Sequence, residues 1–338
     1  MSDGVRVALV GATGVVGQEI LKLLVQRKFK LKDLVCLADP SEEGTKIKFG
    51  EETLTVRGAR EDSFTGIDIA FFAVGTEVSN YFAPLAVKKN CLVIDNSYAF
   101  RLKEDVPLVI PEINPQDINW HKGIIANPNC STIIMAVAIN PIHQAARLKR
   151  VVVSTYQAVS GAGKAGVDEL EQSIHAYVNG TEANPAVFQY PIAFNLIPHI
   201  DIFMEENYTR EEMKLVYETQ KIMHAPDLRI AATAVRVPVY RSHSESITVE
   251  TEKELTVDEV KSILSRAPGV VVQDNPQEKI YPMPLYTANT DEVYVGRIRK
   301  DISCKNGFML WAVGDQIRKG AATNAVQIAE LVVQRNLY

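Results

Sequence analysis

Short apolar runs bounded by polar turns recur along the first part of the chain. Val5-Arg6-Val7-Ala8-Leu9-Val10 has the length and composition of a buried strand, as do Leu34-Val35-Cys36-Leu37-Ala38, Asp68 to Val74, Cys91 to Asp95 and Gly123 to Ala126. Leu21, Leu24 and Val25 fall at helical spacing after the first run, and Glu77 to Lys89 reads as a further helix whose start or kink Pro84 marks. Strands alternating with helices predict a doubly wound, mostly parallel α/β sheet, with ligands gathered beyond the C-terminal ends of the strands. The longer run Ile133 to Ile139 predicts a buried helix, with Cys130 at or just before its first turn.

The second half alternates differently and carries polar residues inside its apolar runs. Val151 to Val159 reads as a long strand interrupted by Gln157, ending in the turn Ser160-Gly161-Ala162-Gly163-Lys164 before another helix. That turn could approach a ligand or simply connect strand to helix. Thr209 to Met223 predicts an amphipathic helix with Met213, Val216, Tyr217 and Ile222 on its apolar side; Glu211 and Lys214, three apart, share a face, the usual setting of a surface ion pair. Ala231 to Tyr240 and Glu245 to Val249 predict two strands paired across a turn at Arg241 to Ser244. A capping box at Thr256 to Glu259 opens the next helix, and an alanine-rich helix from Lys319 to Val333 is expected to pack back on the first half.

Four places carry candidate chemistry. Gly11-Ala12-Thr13-Gly14-Val15-Val16-Gly17 stands between a strand and a helix, where glycines let the backbone turn sharply and approach a pyrophosphate resting on the helix N-terminus. Asp39, about 20 residues further on, is placed to bond adenosine ribose hydroxyls, which favours NAD over NADP, or is a solvated strand end. Cys130 sits where unpaired N–H groups favour a thiolate, the nucleophilic form of cysteine; the alternative is a small buried hydrophobe. His243, beside a turn and near Arg236 in the preceding strand, is a candidate acid/base with an anion clamp.

Composition narrows the field. The 338 residues allow two domains, and 46% hydrophobic with 23% charged residues is ordinary for a soluble protein. A net charge of −5 argues against a nucleic acid or an anionic membrane as partner. No apolar stretch approaches a membrane span and Met1 to Gly4 lacks a signal-peptide pattern, so a cytoplasmic protein is expected. Cys36, Cys91, Cys130 and Cys304 lie far apart and form no metal or disulfide pattern, and no metal is expected.

The chain resembles the aspartate-β-semialdehyde dehydrogenases over essentially its whole length. The resemblance is carried by Gly11 to Gly17, by Ile125 to Ile133 around Asn127-Pro128-Asn129-Cys130-Ser131-Thr132, and by Thr155 to Gly163. Phe194 to His199, Arg236 to Val239, His243-Ser244-Glu245 and Lys319 to Ala322 add to it. It implies a dinucleotide-binding domain over 1–128 completed by a C-terminal helix at 319–338, and an α+β catalytic and dimerisation domain over 129–318. It also implies reversible, NADP-dependent reductive dephosphorylation of L-aspartyl 4-phosphate to the 4-semialdehyde, serving lysine, threonine, methionine and isoleucine synthesis, by a homodimer or homotetramer.

Position by position, the resemblance makes Cys130 the nucleophile, His243 the general acid/base and Gln157 the residue orienting the acyl group. Arg101 and Lys214 bind phosphate, Arg236 clamps the substrate carboxylate, Glu211 faces its ammonium, and Asn129 lines the substrate site. Gly11, Thr13, Gly14, Val15, Val16, Gly17, Asp39, Ser160, Gly161 and Gln316 hold the cofactor. Two departures stand out. Asp39-Pro40-Ser41-Glu42-Glu43 replaces the usual small polar residues and arginine, pointing to relaxed selectivity or use of NAD, and Gln316 stands where asparagine is common. The rival readings are an N-acetyl-γ-glutamyl-phosphate reductase, which an acid facing a free ammonium opposes, and a non-catalytic nucleotide-binding regulator.

Overall fold

The computed structural model describes residues 4–338. The chain forms two compact units, Met1–Asn129 with Ala321–Tyr338, and Cys130–Gly320.

In the first unit the strands are β1 (Val5–Val10), β2 (Leu31–Ala38), β3 (Lys46–Phe49), β4 (Glu52–Thr55), β5 (Arg57–Gly58), β6 (Ile69–Phe72), β7 (Leu92–Asp95) and β8 (Ile124–Ala126). Six of them form one sheet in the order β5-β2-β1-β6-β7-β8, every pairing parallel, while β3 and β4 make a separate hairpin. β6 and β7 are buried along their whole length, as strands covered on both faces must be. The helices are α1 (Val15–Gln26), α2 (Thr76–Lys88) and the C-terminal α8 (Thr323–Arg335). Val7, Leu9, Phe71 and Ile94 from the sheet share one core with Leu23 and Leu24 of α1 and Val326, Ala329 and Val332 of α8.

The second unit holds α3 (Cys130–Ala146), β9 (Leu148–Gln157), α4 (Gly163–Val178), α5 (Arg210–Ile222), β10 (Arg229–Arg236), β11 (His243–Thr251), α6 (Val257–Ser265), β12 (Val270–Val272), α7 (Pro284–Thr287), β13 (Val293–Lys300) and β14 (Gly307–Gly314). Its sheet is mixed, in the order β10-β9-β11-β14-β13-β12. α3 has no polar stripe, so every side of its first ten residues except Cys130 is buried, with contacts to β9, β11 and β14 and to α5 and α6. Capping boxes at Thr209 and Thr256 start α5 and α6.

One expectation is narrowed and two are corrected. Pro84 lies inside α2, which leaves the kink and excludes the start. It is exposed there, and the helix on either side is held by the buried Ser79, Ala83 and Ala86. The strands β10 and β11 are not paired with each other: β9 lies between them, parallel to β10 and antiparallel to β11. The reason lies in residues 237–242. Val237 N–H donates to Gln157 O (3.0 Å) and Val159 N–H to Val239 O (2.8 Å), so the chain crosses the end of β9, and the left-handed Ser242 (φ 74°) turns it back on the far side. Finally, the C-terminal helix starts at Thr323, after a wide π-type turn over Arg318–Ala322 in which Gly320 N–H donates to Asp315 O (3.0 Å).

Candidate active site

In the second unit the ends of β9, β10 and the start of β11 bring together Gln157, Arg236 and His243, all buried. Ala158, the first residue past β9, holds two of them through its backbone. Its N–H donates to His243 Nδ1 (3.0 Å), and its carbonyl accepts from Arg236 Nη1 (2.7 Å). Because Nδ1 is an acceptor, the proton of the neutral imidazole is on Nε2. Nε2 has no hydrogen-bond partner among the described residues. Burial, and then the Arg236 charge, push the His243 pKa down to about 3 against the opposing pull of Glu211. His243 is therefore neutral at ordinary pH and presents an N–H donor.

Cys130 begins α3 and is half-buried, whereas Cys36 and Cys91 in the first unit are buried thiols pushed up by desolvation to about 11 and about 12. Burial lowers the Arg236 pKa, while Glu211 and Cys130 are near enough to raise it electrostatically. The close packing here depends on two glycines. A Cβ on Gly161 would lie 2.8 Å from Arg236 Nη1 and 3.3 Å from His243 Nε2, and one on Gly320 would lie 2.9 Å from Cys130 Cβ. Gly161 thus lies directly against both the cation and the imidazole.

The Glu211–Lys214 pair is not a solvated surface pair. Glu211 Oε1 accepts from Gln157 Nε2 (3.2 Å) and Oε2 from Lys214 Nζ (3.0 Å), and the two side chains are 7% and 12% exposed. Lys214 Nζ also donates to Asp201 Oδ2 (2.9 Å), a residue in the left-handed region (φ 71°) that Arg210 grips with two nitrogens. Burial draws the Asp201 carboxyl upward, but the Arg210 and Lys214 hydrogen bonds outweigh it and hold the group well below the usual carboxylate range. Gln316 is also held at both ends of its amide: its Oε1 accepts from Ser242 N–H (2.8 Å), and its Nε2 donates to Ser160 Oγ (2.5 Å), whose own proton goes to the Tyr240 carbonyl.

In the first unit the glycine turn follows β1. Gly11 is left-handed (φ 84°), and a Cβ there would meet Ala73 O at 2.3 Å; one on Gly17 would meet Gly11 O at 2.1 Å. Only glycine fits either position. α1 starts at Val15 with Gly14 as N-cap, no side-chain cap and no acid in its first turn. The first-turn N–H groups of Val15, Val16 and Gly17 are therefore left for an anion, which suits the pyrophosphate of a dinucleotide. Beyond β2, Asp39 caps a single 3-10 turn (Pro40–Glu42), accepting from Ser41 N–H (2.9 Å) and Oγ (2.7 Å). Glu42 Oε2 accepts from Thr13 Oγ1 (3.1 Å). Arg101 is buried and donates from Nη2 to Asn96 O (2.7 Å), while Asp95 at the end of β7, raised by burial, accepts from Ser79 and Ser97. Asn129, buried, directly precedes Cys130.

Sequence reasoning missed Ala158, which acts only through its peptide groups, and Asp201, whose role depends on a loop folding back on α5. It also passed over Glu245, a fully buried acid two residues beyond His243 on β11. Among the described residues neither Glu245 oxygen has a partner, and burial raises its pKa well above the ordinary value. No group of histidine, cysteine, aspartate or glutamate able to hold a metal occurs among the described residues, and no helix there is long and apolar enough to cross a membrane.

Two family models match: the semialdehyde dehydrogenase NAD binding domain over residues 6–121 and the semialdehyde dehydrogenase dimerisation domain over 139–319. The aspartate-semialdehyde dehydrogenase of Aquifex aeolicus is 53% identical, with 99% of each chain covered, and that of Bacillus subtilis is 50% identical over the whole of both. The crystal structure of aspartate semialdehyde dehydrogenase II from Vibrio cholerae complexed with ASA superimposes with a TM-score of 0.96 at 44% identity, covering 98% of this chain and 99% of that one. Whole-chain likeness of this order, together with a parallel nucleotide-binding sheet and a mixed-sheet second unit, means that the chain belongs to the aspartate-semialdehyde dehydrogenase family.

Proposed function

We propose that the protein is an aspartate-semialdehyde dehydrogenase that interconverts L-aspartyl 4-phosphate and L-aspartate 4-semialdehyde plus phosphate. The observation that carries this reading is the single residue Ala158 fixing a neutral histidine and a buried arginine together, in the unit that also holds Cys130 and Gln157. An acyl phosphate is hard to reduce directly, and a thiolate solves this by exchanging phosphate for a thioester. The Cys130 sulfur adds to the acyl carbon, and the C–O bond to phosphate breaks with its electron pair leaving on oxygen. A bound pyridine nucleotide supplies the hydride in this direction and accepts it in the other. Collapse of the resulting thiohemiacetal oxyanion releases aldehyde and regenerates the thiolate.

His243 Nε2–H donates to the carbonyl oxygen as it becomes an oxyanion, a contribution of about 10²–10⁴-fold for a positioned acid. Gln157 orients the acyl group. The substrate is anionic at both ends, so two kinds of cation are called for: Arg236 clamps the carboxylate bidentately, and Arg101 and Lys214 bind phosphate. Glu211, buried and accepting from Lys214, faces the ammonium, with Asn129 lining the site; a free ammonium partner disfavours an N-acylated substrate. Gly11, Thr13, Gly14, Val15, Val16 and Gly17 hold the dinucleotide, and Ser160, Gly161 and Gln316 are the further residues assigned to it. The family makes NADP the expected nucleotide, and the acidic stretch that begins at Asp39, in place of the usual small polar residues and arginine, points to use of NAD. The enzyme works in the cytoplasm as a homodimer or homotetramer.

The test follows reduced nucleotide production from aspartate semialdehyde with and without phosphate. Phosphate-dependent reduction that Cys130→Ala abolishes is expected. Phosphate-independent turnover, or activity retained in Cys130→Ala, would overturn the mechanism. Turnover only with the N-acetylglutamate semialdehyde would replace the substrate.

A further inference from the structure

We infer that Glu42 is the residue that selects between the two pyridine nucleotides, and that it does so by excluding a 2′-phosphate from the adenosine end of the site. The inference rests on the dehydrogenase reading above. In sheets of this topology the adenosine ribose lies beyond the C-terminal end of the strand next to the glycine turn, here β2, where an acid bonds the ribose hydroxyls. Sequence position alone nominates Asp39, but the geometry does not. Asp39 Oδ1 accepts two hydrogen bonds from Ser41 and closes its own turn. Glu43 is paired with Arg60 at 2.8 Å.

Glu42 is the acid of this segment that turns back onto the glycine loop, its Oε2 meeting Thr13 Oγ1 at 3.1 Å. It is half-buried, whereas Asp39 and Glu43 are exposed. A carboxylate held there can take a ribose 2′-hydroxyl in place of the Thr13 hydroxyl without changing its charge state. A 2′-phosphate would instead set nearly two negative charges against it, and Arg60, which reaches this turn, is already bound to Glu43. Like charges in contact distance repel strongly when half-buried and weakly when screened, so the discrimination is expected to fall with salt.

The experiment measures binding to the full-length protein by calorimetry, independently of turnover, using NAD⁺, NADP⁺, 5′-AMP and 2′,5′-ADP. The wild type is expected to bind NAD⁺ at least as tightly as NADP⁺. Glu42→Gln should move the NADP⁺:NAD⁺ affinity ratio toward NADP⁺ by about tenfold or more, with the same shift for 2′,5′-ADP against 5′-AMP, the scale of one unit-charge contact. Asp39→Asn should leave both ratios within about twofold, and thermal unfolding would establish that both variants are folded. An unchanged ratio in Glu42→Gln, or the whole shift appearing in Asp39→Asn, overturns the assignment, as does a wild type that already binds 2′,5′-ADP more tightly than 5′-AMP. If the nucleotides bind as expected but aspartate semialdehyde is not turned over, the dehydrogenase reading fails and the assignment of Glu42 stands.

Discussion

At the scale of single residues, the candidate chemistry depends on a residue with no chemistry of its own. Ala158 gives its N–H to His243 and its carbonyl to Arg236, so the tautomer of one and the direction of the other follow from one stretch of backbone. With its pKa held near 3 by burial and by Arg236, His243 does not change charge near neutrality. We expect kcat/KM between pH 5.5 and 8 to show no limb at about 6.5, the pKa of an unperturbed histidine. A bell-shaped profile whose acidic limb lies there and vanishes in His243→Gln would refute the neutral donor. Gly161→Ala tests the packing: its methyl would fall 2.8 Å from Arg236 Nη1 and 3.2 Å from His243 Cε1. A loss of about tenfold or more in kcat/KM is expected from the displaced groups. Residues with reactive side chains, Cys130, Gln157, Glu211, Arg236 and His243, were legible in the sequence by type and by motif. Ala158 was not, because nothing in an alanine distinguishes the peptide group that matters. Glu211 and Lys214 were legible as neighbours on a helix face but not as buried groups, since their burial depends on Gln157 and Asp201 from other elements.

At the scale of elements, β11 carries His243 and Glu245 on one face of a buried strand, and their effects on stability oppose each other. His243 has its pKa lowered in the folded state, so the unfolded chain binds more protons below about 6.5 and stability falls as pH drops toward the folded value near 3. Glu245 has its pKa raised by burial, so above its ordinary value near 4.5 the unfolded chain ionises first and stability falls as pH rises. In the weakly acidic range the two contributions therefore have opposite sign, that of His243 rising with pH and that of Glu245 falling. Glu245→Gln removes one of them. The difference in stability between this variant and the wild type, measured by urea unfolding, should therefore grow with pH from about 4.5 upward, whatever its value at pH 4.5. A difference that stays constant with pH would show that Glu245 is ionised in the folded protein. Element type was legible here from alternation, because the face that points into the sheet core reads His243, Glu245, Ile247, Val249. Pairing was not: two apolar runs separated by a short turn look like a hairpin, and only the bonds of Val237 and Val159 across the end of β9 show that the chain steps over a strand.

For the molecule as a whole, the last 18 residues return to the unit the chain began with, as Ala321–Tyr338. α8 is not an appendage to that unit. Val326, Ile328, Ala329 and Val332 are fully buried in its core, Asn324 Nδ2 donates to Val109 O (2.9 Å) and Asn127 Oδ1 (2.7 Å), and Arg27 grips Glu330 with two nitrogens. The expectation of a C-terminal helix belonging to the first half could be written from its alanine-rich pattern. Its starting point could not, because the wide turn before it depends on Asp315 and on the clearance that Gly320 gives Cys130. A unit whose core includes Ala321–Tyr338 cannot complete that core without them, while Cys130–Gly320 contains its own sheet. Deleting Ala321–Tyr338 should therefore abolish NAD(P)⁺ binding and leave the mixed sheet protected in hydrogen exchange, with protection lost in β1, β6 and β7. Ile328→Ala should do the same in miniature, costing about 2–5 kcal/mol for a large-to-small change in a filled core. If the truncated chain still bound nucleotide with the wild-type affinity, α8 would be a cover on a finished unit and the dependence of the dinucleotide fold on α8 would be refuted.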